Sequence, residues 1–295
     1  MSPTVSIVVP SYNNADHIEQ TMASILAQTY EDFEVIVSDH SSTDGCWELL
    51  QQFADDPRVT LLDPLPHGGG APANWNRVSR AASGRYLKLV CGDDLIYPTC
   101  LAEQVEAIES APDVVLVACQ RDVVDNAGRP LVRARGLHGL RGKVSGRVAV
   151  RRTVRAGTNV FGEPGCVLLD RQVLADTGWW DDRAPYLIDQ ATCSRVALRG
   201  SMIALRRSLA GFRVSDQQWS VQLAHTQAEH AARFHHLVAA ENPGLLSARD
   251  VRLGDRKAAV MAWIRRSTYA YLHQRMRLQH LMPQERRRQT TASLG

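Results

Sequence analysis

Short apolar runs alternate with stretches of helical spacing over the first hundred residues, and this alternation limits the fold more than any other feature of the chain. The runs are rich in β-branched residues and end at turn-forming residues, which is typical of buried strands. Alternating strands and helices at this spacing predict a parallel sheet with helices on both faces. The predicted strands span residues 4–10, 33–38, 59–62 and 86–91.

Two adjacent carboxylates, Asp93 and Asp94, follow the last of these strands. Ligands of open α/β sheets bind at the carboxyl ends of the strands, so we expect both acids at a ligand site. Several residues without Lys or Arg come next, and a hard divalent ion that also binds phosphate oxygens would balance the two charges. Asp93 could instead cap the helix predicted from Pro98, because acids often precede helices.

The composition, with 44% hydrophobic and 22% charged residues in 295, allows one large α/β domain with an appendage. The six cysteines have no CxxC or Cys/His spacing, so a zinc site is not expected. No signal peptide precedes the first strand, and no apolar run approaches the roughly 18 residues of a membrane span. These features predict a reduced cytoplasmic protein that is at most peripheral to the membrane.

Two later stretches are basic. Residues 133–155 combine Arg with four Gly, which predicts either a solvated loop or a mobile cover over a ligand site. Residues 249–288 contain eleven Lys or Arg against three Asp or Glu, with aromatic residues between them. This helical tail suits an anionic membrane surface at the inner face of the membrane, the catalytic domain, or a second subunit in a homodimer. A nucleic-acid partner is not expected, because no binding motif accompanies the charge.

The ends of the predicted strands carry the motifs of a known family. The series IVVPSYNNADHIEQTMASILAQTY, FEVIVSDHSSTDG and ANWNRVSRAASGRYLKLVCGDD resembles the nucleotide-sugar-binding half of a family 2 glycosyltransferase of GT-A fold. The resemblance implies an α/β fold with a Rossmann-like, mostly parallel central sheet flanked by helices. It implies a catalytic domain over residues 1–217, with a donor-binding half (1–110) and an acceptor-side half (111–217). Residues 218–295 would form a basic helical C-terminal extension.

The resemblance assigns the nucleoside to the ends of the first two strands. Asp39 matches the acid that contacts the base, where a carboxylate accepts N–H hydrogen bonds from one edge of the ring. A turn-forming role is the alternative for Asp39 and is favoured for Asp44. Arg213 matches an arginine that would hold the diphosphate through two hydrogen bonds. The residues that match donor-binding positions are Pro10, Ser11, Tyr12, Asn13, Asp39, Asn74, Gly92, Asp93 and Arg213.

The metal motif of the family reads Asp-x-Asp-Asp, whereas this chain reads Cys91, Gly92, Asp93 and Asp94. The resemblance therefore assigns a divalent ion, Mg²⁺ or Mn²⁺, to Asp93 and Asp94. Thiolates are poor ligands for these hard ions, so we interpret Cys91 as a small buried residue.

An inverting transfer needs a carboxylate that takes the proton from the acceptor hydroxyl. Asp181, Asp182 and Asp189 are the candidates, and Asp189 matches the family acid that opens a helix. Capping of that helix is the alternative role. The residues assigned to the acceptor side are Glu163, Pro164 and Trp180. Trp180 could stack on a sugar ring or pack in the core.

The sequence thus predicts an inverting, metal-dependent hexosyltransferase of bacterial cell-envelope synthesis. Its donor would be a UDP-, GDP- or dTDP-sugar, and its acceptor a saccharide or a lipid-linked saccharide. Two alternatives stay open. A nucleotide-sugar-binding protein that has lost catalysis would explain Ala73, Cys91 and Ser215, which replace the basic residue, the acid and the histidine of the family. A nucleotidyltransferase has a similar sheet but requires a glycine-rich basic loop where this chain has SYNN.

Overall fold

A mixed sheet lies at the centre of the computed structural model, which describes residues 2–64, 69–181, 183–214 and 226–281, the last 17 of them as backbone only. The strands are β1 Val5–Ser11, β2 Phe33–Asp39, β3 Val59–Leu62, β4 Tyr86–Leu89, β5 Leu95–Ile96, β6 Val114–Val124, β7 Pro130–Arg135, β8 Gly142–Ser145, β9 Val167–Asp170 and β10 Ser201–Arg213. The helices are α1 Ile18–Leu26, α2 Cys46–Gln51, α3 Gly70–Ala81, α4 Cys100–Glu109, α5 Gly146–Ala156, α6 Arg171–Asp176, α7 Ile188–Ala197, α8 Gln227–Glu241 and α9 Ala248–Leu281.

The strand order is β3-β2-β1-β4-β9-β6-β10-β5, with β7 beside β6 and β8 beside β10. Strands β1 to β4 are parallel, which confirms the sheet predicted for the donor-binding half. Strand β9 runs antiparallel to both β4 and β6 and joins this half to the next one. The sheet as a whole is therefore mixed, and the parallel ends of β1, β2 and β4 reach the same edge.

Strand β1 is covered on both faces, because all seven of its residues are buried. A strand that is buried on both faces has a nearly continuous run of apolar residues. Such a run is visible in the sequence of β1. Helix α1 covers one face with Ile18, Met22 and Ile25, which have the spacing of a helix stripe. The buried residues of β1 and α1 therefore determine the position of the loop that connects them.

The basic stretch of residues 133–155 is not the loop or cover that the sequence predicted. It forms the end of β7, all of β8 and most of α5. The Ser145 hydroxyl caps α5 by accepting the Val148 N–H at 3.4 Å, and Gly157 ends the helix with a φ of 62°. Ala149, Val150 and Val154 give α5 a buried face that the intervening arginines conceal in the sequence.

The C-terminal extension is helical, as predicted, and α9 packs closely on α5. Gly254 allows this approach, because a Cβ at that position would lie 2.5 Å from the Val154 carbonyl oxygen. Asp250, which is 1% exposed, pairs with Arg151 at 3.1 Å and also with Arg155. The predicted boundary between residues 217 and 218 lies outside the described residues. Among the helices that the structure describes, we find none with the length and apolar character to cross a membrane.

We expect Asp250→Asn to lower the free energy of unfolding by about 2 kcal/mol at pH 7, because ion-paired hydrogen bonds to a buried acid are lost. Burial raises the pKa of Asp250, but hydrogen bonds from Ser247, Arg155 and Arg151 outweigh burial and hold that pKa below its usual value. The stabilisation is therefore present above the unfolded-state pKa of about 4 and is lost as the pH falls below it.

Urea unfolding at pH 7 and at pH values down to about 3 measures the difference in the free energy of unfolding between the wild type and Asp250→Asn. This difference should become smaller in acid. Asp113→Asn is the matched control, because Asp113 forms an ion pair with Lys143 that is exposed to solvent and therefore contributes little to stability. Equal destabilisation by the two variants at pH 7 would contradict the prediction.

Candidate active site

Three side chains at the end of β4 form a group that could hold a metal ion. One ligand atom each of Cys91, Asp93 and Asp94 lies within 4.8 Å of the others. Burial, followed by the charge of Asp93, raises the pKa of Asp94 well above its usual range. Two carboxylates held this close repel each other, and a divalent cation would remove that repulsion. The acid pair therefore fits the predicted ion.

Cys91 differs from the two acids in its chemistry. Burial, with the charges of Asp94 and Asp93, raises the pKa of the Cys91 thiol well above its usual value. A thiol that stays protonated is a weak ligand, and oxygen ligands suit Mg²⁺ and Mn²⁺ better. The side chain is half-buried and packs against the core. This placement agrees with its interpretation as a packing residue.

The loop that carries the acids is fastened to the first helix. The Thr21 hydroxyl donates to the Gly92 carbonyl at 3.0 Å and to the Asp94 carbonyl at 2.8 Å. Gly92 itself leaves no room for a side chain, because a Cβ there would lie 2.5 Å from Oδ1 of Asn14. Gly92 thus contributes a close approach of two loops, which only glycine permits.

The structure corrects the predicted role of Arg213. Its side chain is fully buried, and Nε donates to the Asp93 carbonyl at 2.8 Å. Nη1 donates to the carbonyls of Asp125 and Asn126, and Nη2 donates to Gln20 Oε1 at 3.0 Å. Because these backbone and side-chain acceptors use the guanidinium, it is not presented to a diphosphate. Arg213 instead fixes the shape of the acid loop.

The ends of β1 and β2 lie side by side, and acids stabilise both following loops. Asp39, 1% exposed, accepts the Ser42 N–H at 2.8 Å and the Ser42 hydroxyl at 2.5 Å. A turn-forming role for Asp39 is thus observed, while its contact with a base stays a prediction. Asp44 accepts the amides of Ala15 at 2.8 Å and Cys46 at 3.0 Å, which confirms its turn role.

Tyr12 offers an aromatic ring at this edge of the sheet. It is 51% exposed and stands edge-on to His40, with ring centroids 6.2 Å apart. The loop beneath it is rigid, because the Asn13 N–H donates to Ser42 Oγ and Asn13 Oδ1 accepts the Thr43 N–H. An exposed ring on a fixed loop is suited to stacking on a nucleobase.

Asn74 lies beneath these loops, not among exposed groups. Its Nδ2 donates to the carbonyls of Ser11 at 3.3 Å and Ser38 at 3.1 Å, and its Oδ1 is buried with no hydrogen-bond partner among the described residues. Pro10 and Ser11 are also buried, within β1. The sequence did not single out Arg77, which donates to Ser38 Oγ at 2.8 Å. Asn74 thus holds the ends of β1 and β2 together, and Arg77 joins the end of β2 to Asp63, which follows β3.

Asp189 is the second residue of α7 and lies on the acceptor-side half. Its Oδ2 accepts Asn159 Nδ2 at 2.8 Å, and its Oδ1 accepts the Gln190 N–H at 2.7 Å. Burial is the main cause that raises the pKa of Asp189 to about 7, and the charge of Glu163 adds to it. The charge of Asp189 in turn raises the pKa of the Cys91 thiol, so Asp189 lies near the loop that follows β4. A carboxylate that titrates near neutral pH is suited to general base catalysis.

Glu163 forms a bidentate pair with Arg121, in which Nη2 donates to Oε1 at 2.7 Å and Nε lies against Oε2. The next residue, Pro164, is buried in the 3₁₀ turn Pro164–Cys166. Pro164 therefore shapes the segment, and Glu163 is the side chain of the two that keeps some exposure. The sequence motifs had not indicated Arg121 as a partner.

A buried lysine joins the two halves of the site. Lys88 is in the middle of β4 and fully buried. Its Nζ donates to the Gly165 carbonyl at 2.6 Å and to Gln104 Oε1 at 2.9 Å. Lys88 thus connects the strand that ends in the acid pair to the segment that carries Glu163. Nothing in the motifs distinguished this lysine.

Trp180 is a core residue, which corrects the stacking role predicted as one of its two alternatives. It is 4% exposed, its indole N–H donates to Ser79 Oγ at 2.7 Å, and its ring packs edge-on against Trp75. The bulky apolar indole buries its surface and satisfies its one donor inside the protein. No ring face is presented to a sugar.

The other acids considered for the base differ from Asp189. Asp181 forms ion pairs with Arg183 at 2.8 Å and Arg195 at 3.6 Å. Burial raises the pKa of Asp181, but the contacts with the two arginines outweigh burial and lower it. Such an acid is a poor proton acceptor. Asp182 and Ser215 lie outside the described residues.

A mixed sheet of this order, flanked by helices, has the GT-A fold seen in glycosyltransferases. The solved structure of mannosyltransferase PcManGT from Pyrobaculum calidifontis, in complex with GDP-Man and Mn²⁺, matches with a TM-score of 0.65. The identity is 19%, and the match covers 99% of this chain and 84% of that chain. The model of glycosyl transferase family 2 matches residues 6–178, more than half of the chain. The chain therefore belongs to glycosyl transferase family 2.

Two relatives have closer sequences over shorter stretches. The putative teichuronic acid biosynthesis glycosyltransferase TuaG of Bacillus subtilis is 37% identical over 105 residues, which are 35% of this chain and 41% of the relative. The UDP-Glc:alpha-D-GlcNAc-diphosphoundecaprenol beta-1,3-glucosyltransferase WfaP of Escherichia coli is 32% identical over 106 residues, which are 36% of this chain and 41% of the relative. The matched stretches thus span about two fifths of each relative.

We expect Asp93→Asn to abolish the Mn²⁺-dependent part of the thermal stabilisation by nucleotide diphosphates. At ligand concentrations about 100-fold above Kd, a bound ligand stabilises by about 2.7 kcal/mol, which is a shift of several degrees. The variant removes a charged oxygen ligand without changing shape, so its melting temperature without ligand should stay near that of the wild type.

Thermal-shift measurements with UDP and GDP, each with and without Mn²⁺, provide the readout. Asp55→Asn, an exposed acid away from the sheet edge, is the control and should keep the metal effect. A metal effect of normal size in Asp93→Asn would transfer the ion to Asp94 or remove it from the site.

Proposed function

We propose that this protein is an inverting hexosyltransferase that moves a sugar from a nucleotide-diphosphate sugar to a hydroxyl of a cell-envelope saccharide. The observation that carries the proposal is Asp189, a carboxylate with a pKa of about 7 that lies near the end of the strand carrying the acid pair. An inverting displacement requires a base on the acceptor side of the anomeric carbon, opposite the departing diphosphate.

The donor would lie across the common edge of β1, β2 and β4. Its base would stack on Tyr12, and Asp39 would accept a hydrogen bond from the ring edge. Its diphosphate would reach the loop of Asp93 and Asp94, which would hold Mg²⁺ or Mn²⁺. Such an ion supplies charge stabilisation for the leaving diphosphate. UDP-, GDP- and dTDP-sugars all fit this general arrangement.

In the chemical step, Asp189 takes the proton of the acceptor hydroxyl as its oxygen attacks the anomeric carbon. The bond between that carbon and the diphosphate oxygen breaks, and the nucleoside diphosphate leaves with the bonding electrons. Because attack and departure occur on opposite faces, the anomeric configuration inverts. A base with a pKa near the working pH accepts the proton efficiently. Glu163, paired with Arg121, raises the pKa of Asp189 through its charge and would lie on the acceptor side.

A donor-binding protein without catalysis is the second candidate. It is favoured by the internal use of Arg213 and by Ala73, since neither residue supplies a cation for the diphosphate. A nucleotidyltransferase is set aside, because the chain belongs to a glycosyl transferase family. The Asp189 variant below separates the two remaining candidates.

Names of the relatives support the class of acceptor. One is a teichuronic acid biosynthesis glycosyltransferase, and another acts on a sugar carried by diphosphoundecaprenol. A saccharide or lipid-linked acceptor in envelope synthesis follows for this chain as part of the proposal. A lipid-linked acceptor would bring the enzyme to the inner face of the membrane.

Helix α9 has an outward stripe that fits such a surface. The stripe is formed by exposed residues spaced three or four apart, namely Arg249, Arg252, Arg256, Val260 and Trp263. The opposite face packs on the protein through Val251, Gly254, Ala258 and Ala262. Arginines attract anionic lipid headgroups, and an exposed tryptophan suits the interface between headgroups and acyl chains. A homodimer formed through the same stripe is the alternative.

We expect the triple variant Arg249→Gln, Arg252→Gln, Arg256→Gln to bind anionic vesicles about 100-fold more weakly than the wild type, because each cation contributes about 1 kcal/mol. Flotation with vesicles of phosphatidylglycerol and phosphatidylcholine, at low and high salt, is the measurement. Neutralising Arg133, Arg135 and Arg141, which are exposed but lie outside α9, is the control and should have little effect. A wild type that does not float but doubles its mass in light scattering would favour the homodimer.

We expect Asp189→Asn to lower kcat by about 10² to 10⁴, with donor binding and melting temperature near wild type. The measurement is release of nucleoside diphosphate in the presence of polyprenyl-diphosphate-linked saccharides, using the donor that stabilises the protein best. Wild-type activity should fall as the pH drops below about 7, because Asp189 must be ionised to act.

Asp181→Asn is the matched control: it breaks the ion pairs with Arg183 and Arg195, so it should lower stability yet leave the turnover of the folded enzyme unchanged. Normal turnover in Asp189→Asn would show that Asp189 is not the base. A wild type that binds the donor but transfers no sugar to any acceptor would favour the donor-binding protein.

A further inference from the structure

The turn between α5 and the segment of Glu163 is held together by one amide side chain. Asn159 Nδ2 donates to the Gly162 carbonyl at 2.8 Å and to Asp189 Oδ2 at 2.8 Å. Its Oδ1 accepts the Phe161 N–H at 3.0 Å. Both protons on Nδ2, and one lone pair of Oδ1, are therefore used. The same group closes the turn and contacts the candidate base.

The turn is also fixed from outside, which makes Asn159 a rigid donor. The Thr153 hydroxyl donates to the Thr158 carbonyl at 2.9 Å and accepts the Val160 N–H at 3.3 Å. Gln190, the neighbour of Asp189, donates to the same hydroxyl at 3.0 Å. Gly162 has a φ of 96°, a conformation that glycine adopts without strain. The turn and the start of α7 thus form one hydrogen-bonded unit.

We propose that Asn159 is a positioning residue for the proton transfer, holding the Asp189 carboxylate in one orientation by its hydrogen bond to Oδ2. The inference rests on the proposed function, because it presupposes that Asp189 is the base. With Oδ2 fixed by Asn159 and Oδ1 fixed by the Gln190 amide, rotation of the carboxylate would break two hydrogen bonds. The remaining lone pairs therefore keep fixed directions toward an acceptor hydroxyl, and orientation of this kind contributes strongly to rate.

Several charged or titratable groups face Asp189 from the surrounding elements. Glu163, which shares a bidentate pair with Arg121, opposes ionisation of Asp189, and the thiols of Cys91 and Cys193 also lie within its field. Asn159 acts in the opposite direction, because a donor to a carboxylate favours its ionised form. An amide does so without adding a charge, since it stays neutral at every physiological pH. Asn159 thus keeps a partly buried base available near neutral pH.

The test replaces Asn159 by Ser, which is too short to reach the Asp189 carboxylate, and by Asp, which keeps the acceptor for the Phe161 amide but removes the donor. We expect kcat to fall by about 10²-fold in both variants. The KM for the donor should stay within about twofold, because ground-state binding is unaffected. The acidic limb of the pH profile of kcat should move upward by about one unit in the Ser variant, since the ionised form loses a hydrogen bond, and further in the Asp variant, whose added carboxylate repels the ionised Asp189.

Asn76→Asp is the matched control, because Asn76 also holds a turn through hydrogen bonds to the Trp180 backbone and does not contact Asp189. It should lower stability and leave the pH profile in place. Nucleotide-dependent thermal stabilisation identifies the folded variants, and the Asp variant remains informative if the Ser variant does not fold.

A kcat within twofold of wild type, or an unmoved acidic limb, in a folded Asn159 variant would overturn the inference. If Asn159 variants behave in this way while Asp189→Asn abolishes transfer, Asp189 is still the base and only the positioning role of Asn159 is wrong. If Asp189→Asn transfers at the normal rate, the fault lies with the proposed base.

Discussion

Two carboxylates are held at the end of a buried strand against their mutual repulsion, and much of the surrounding structure maintains this arrangement. The Arg213 side chain, at the end of β10, donates a hydrogen bond to the Asp93 carbonyl. The backbone N–H of Arg213 donates to Asp94 Oδ1 at 3.1 Å. Thr21 holds the same loop from α1. Burial of Asp94 beside a second acid is costly, so the loop needs fixed partners from distant elements. The fold supplies them by bringing β10, α1 and the β6–β7 turn to one edge of the sheet.

The position of the acceptor-side segment depends on hydrogen bonds from a buried lysine. Lys88 is buried within β4, and its ammonium group contacts neutral oxygens, including the Gly165 carbonyl. A buried ammonium is stable only when its donors are satisfied, so the position of the segment from Glu163 to Cys166 is tied to the position of β4. Because β4 also ends in the acid pair, the distance between the donor and acceptor sides is set by the sheet itself and not by a loop.

Sequence reasoning located the parts of the site that follow from local patterns. Asp93 and Asp94 could be placed because apolar runs reveal strands and ligands bind at the strand ends. The roles of Arg213 and Trp180 were not predictable in the same way. Both depend on partners far away in the chain, such as Gln20 for Arg213 and Ser79 for Trp180. Helix α5 was missed because its arginines outnumber the apolar residues that form its buried face.

The packing of α9 on α5 has a consequence for how the C-terminal region can be studied. Asp250 neutralises Arg151 and Arg155, and Gly254 lets the two helices touch through their backbones. Elements joined in this way open together as one cooperative unit. Removing the tail would therefore leave two arginines without their shared partner and expose the buried face of α5, close to α7 and its acid. Loss of activity in a truncated protein would then report the unfolding of a neighbouring helix as readily as the loss of a surface contact.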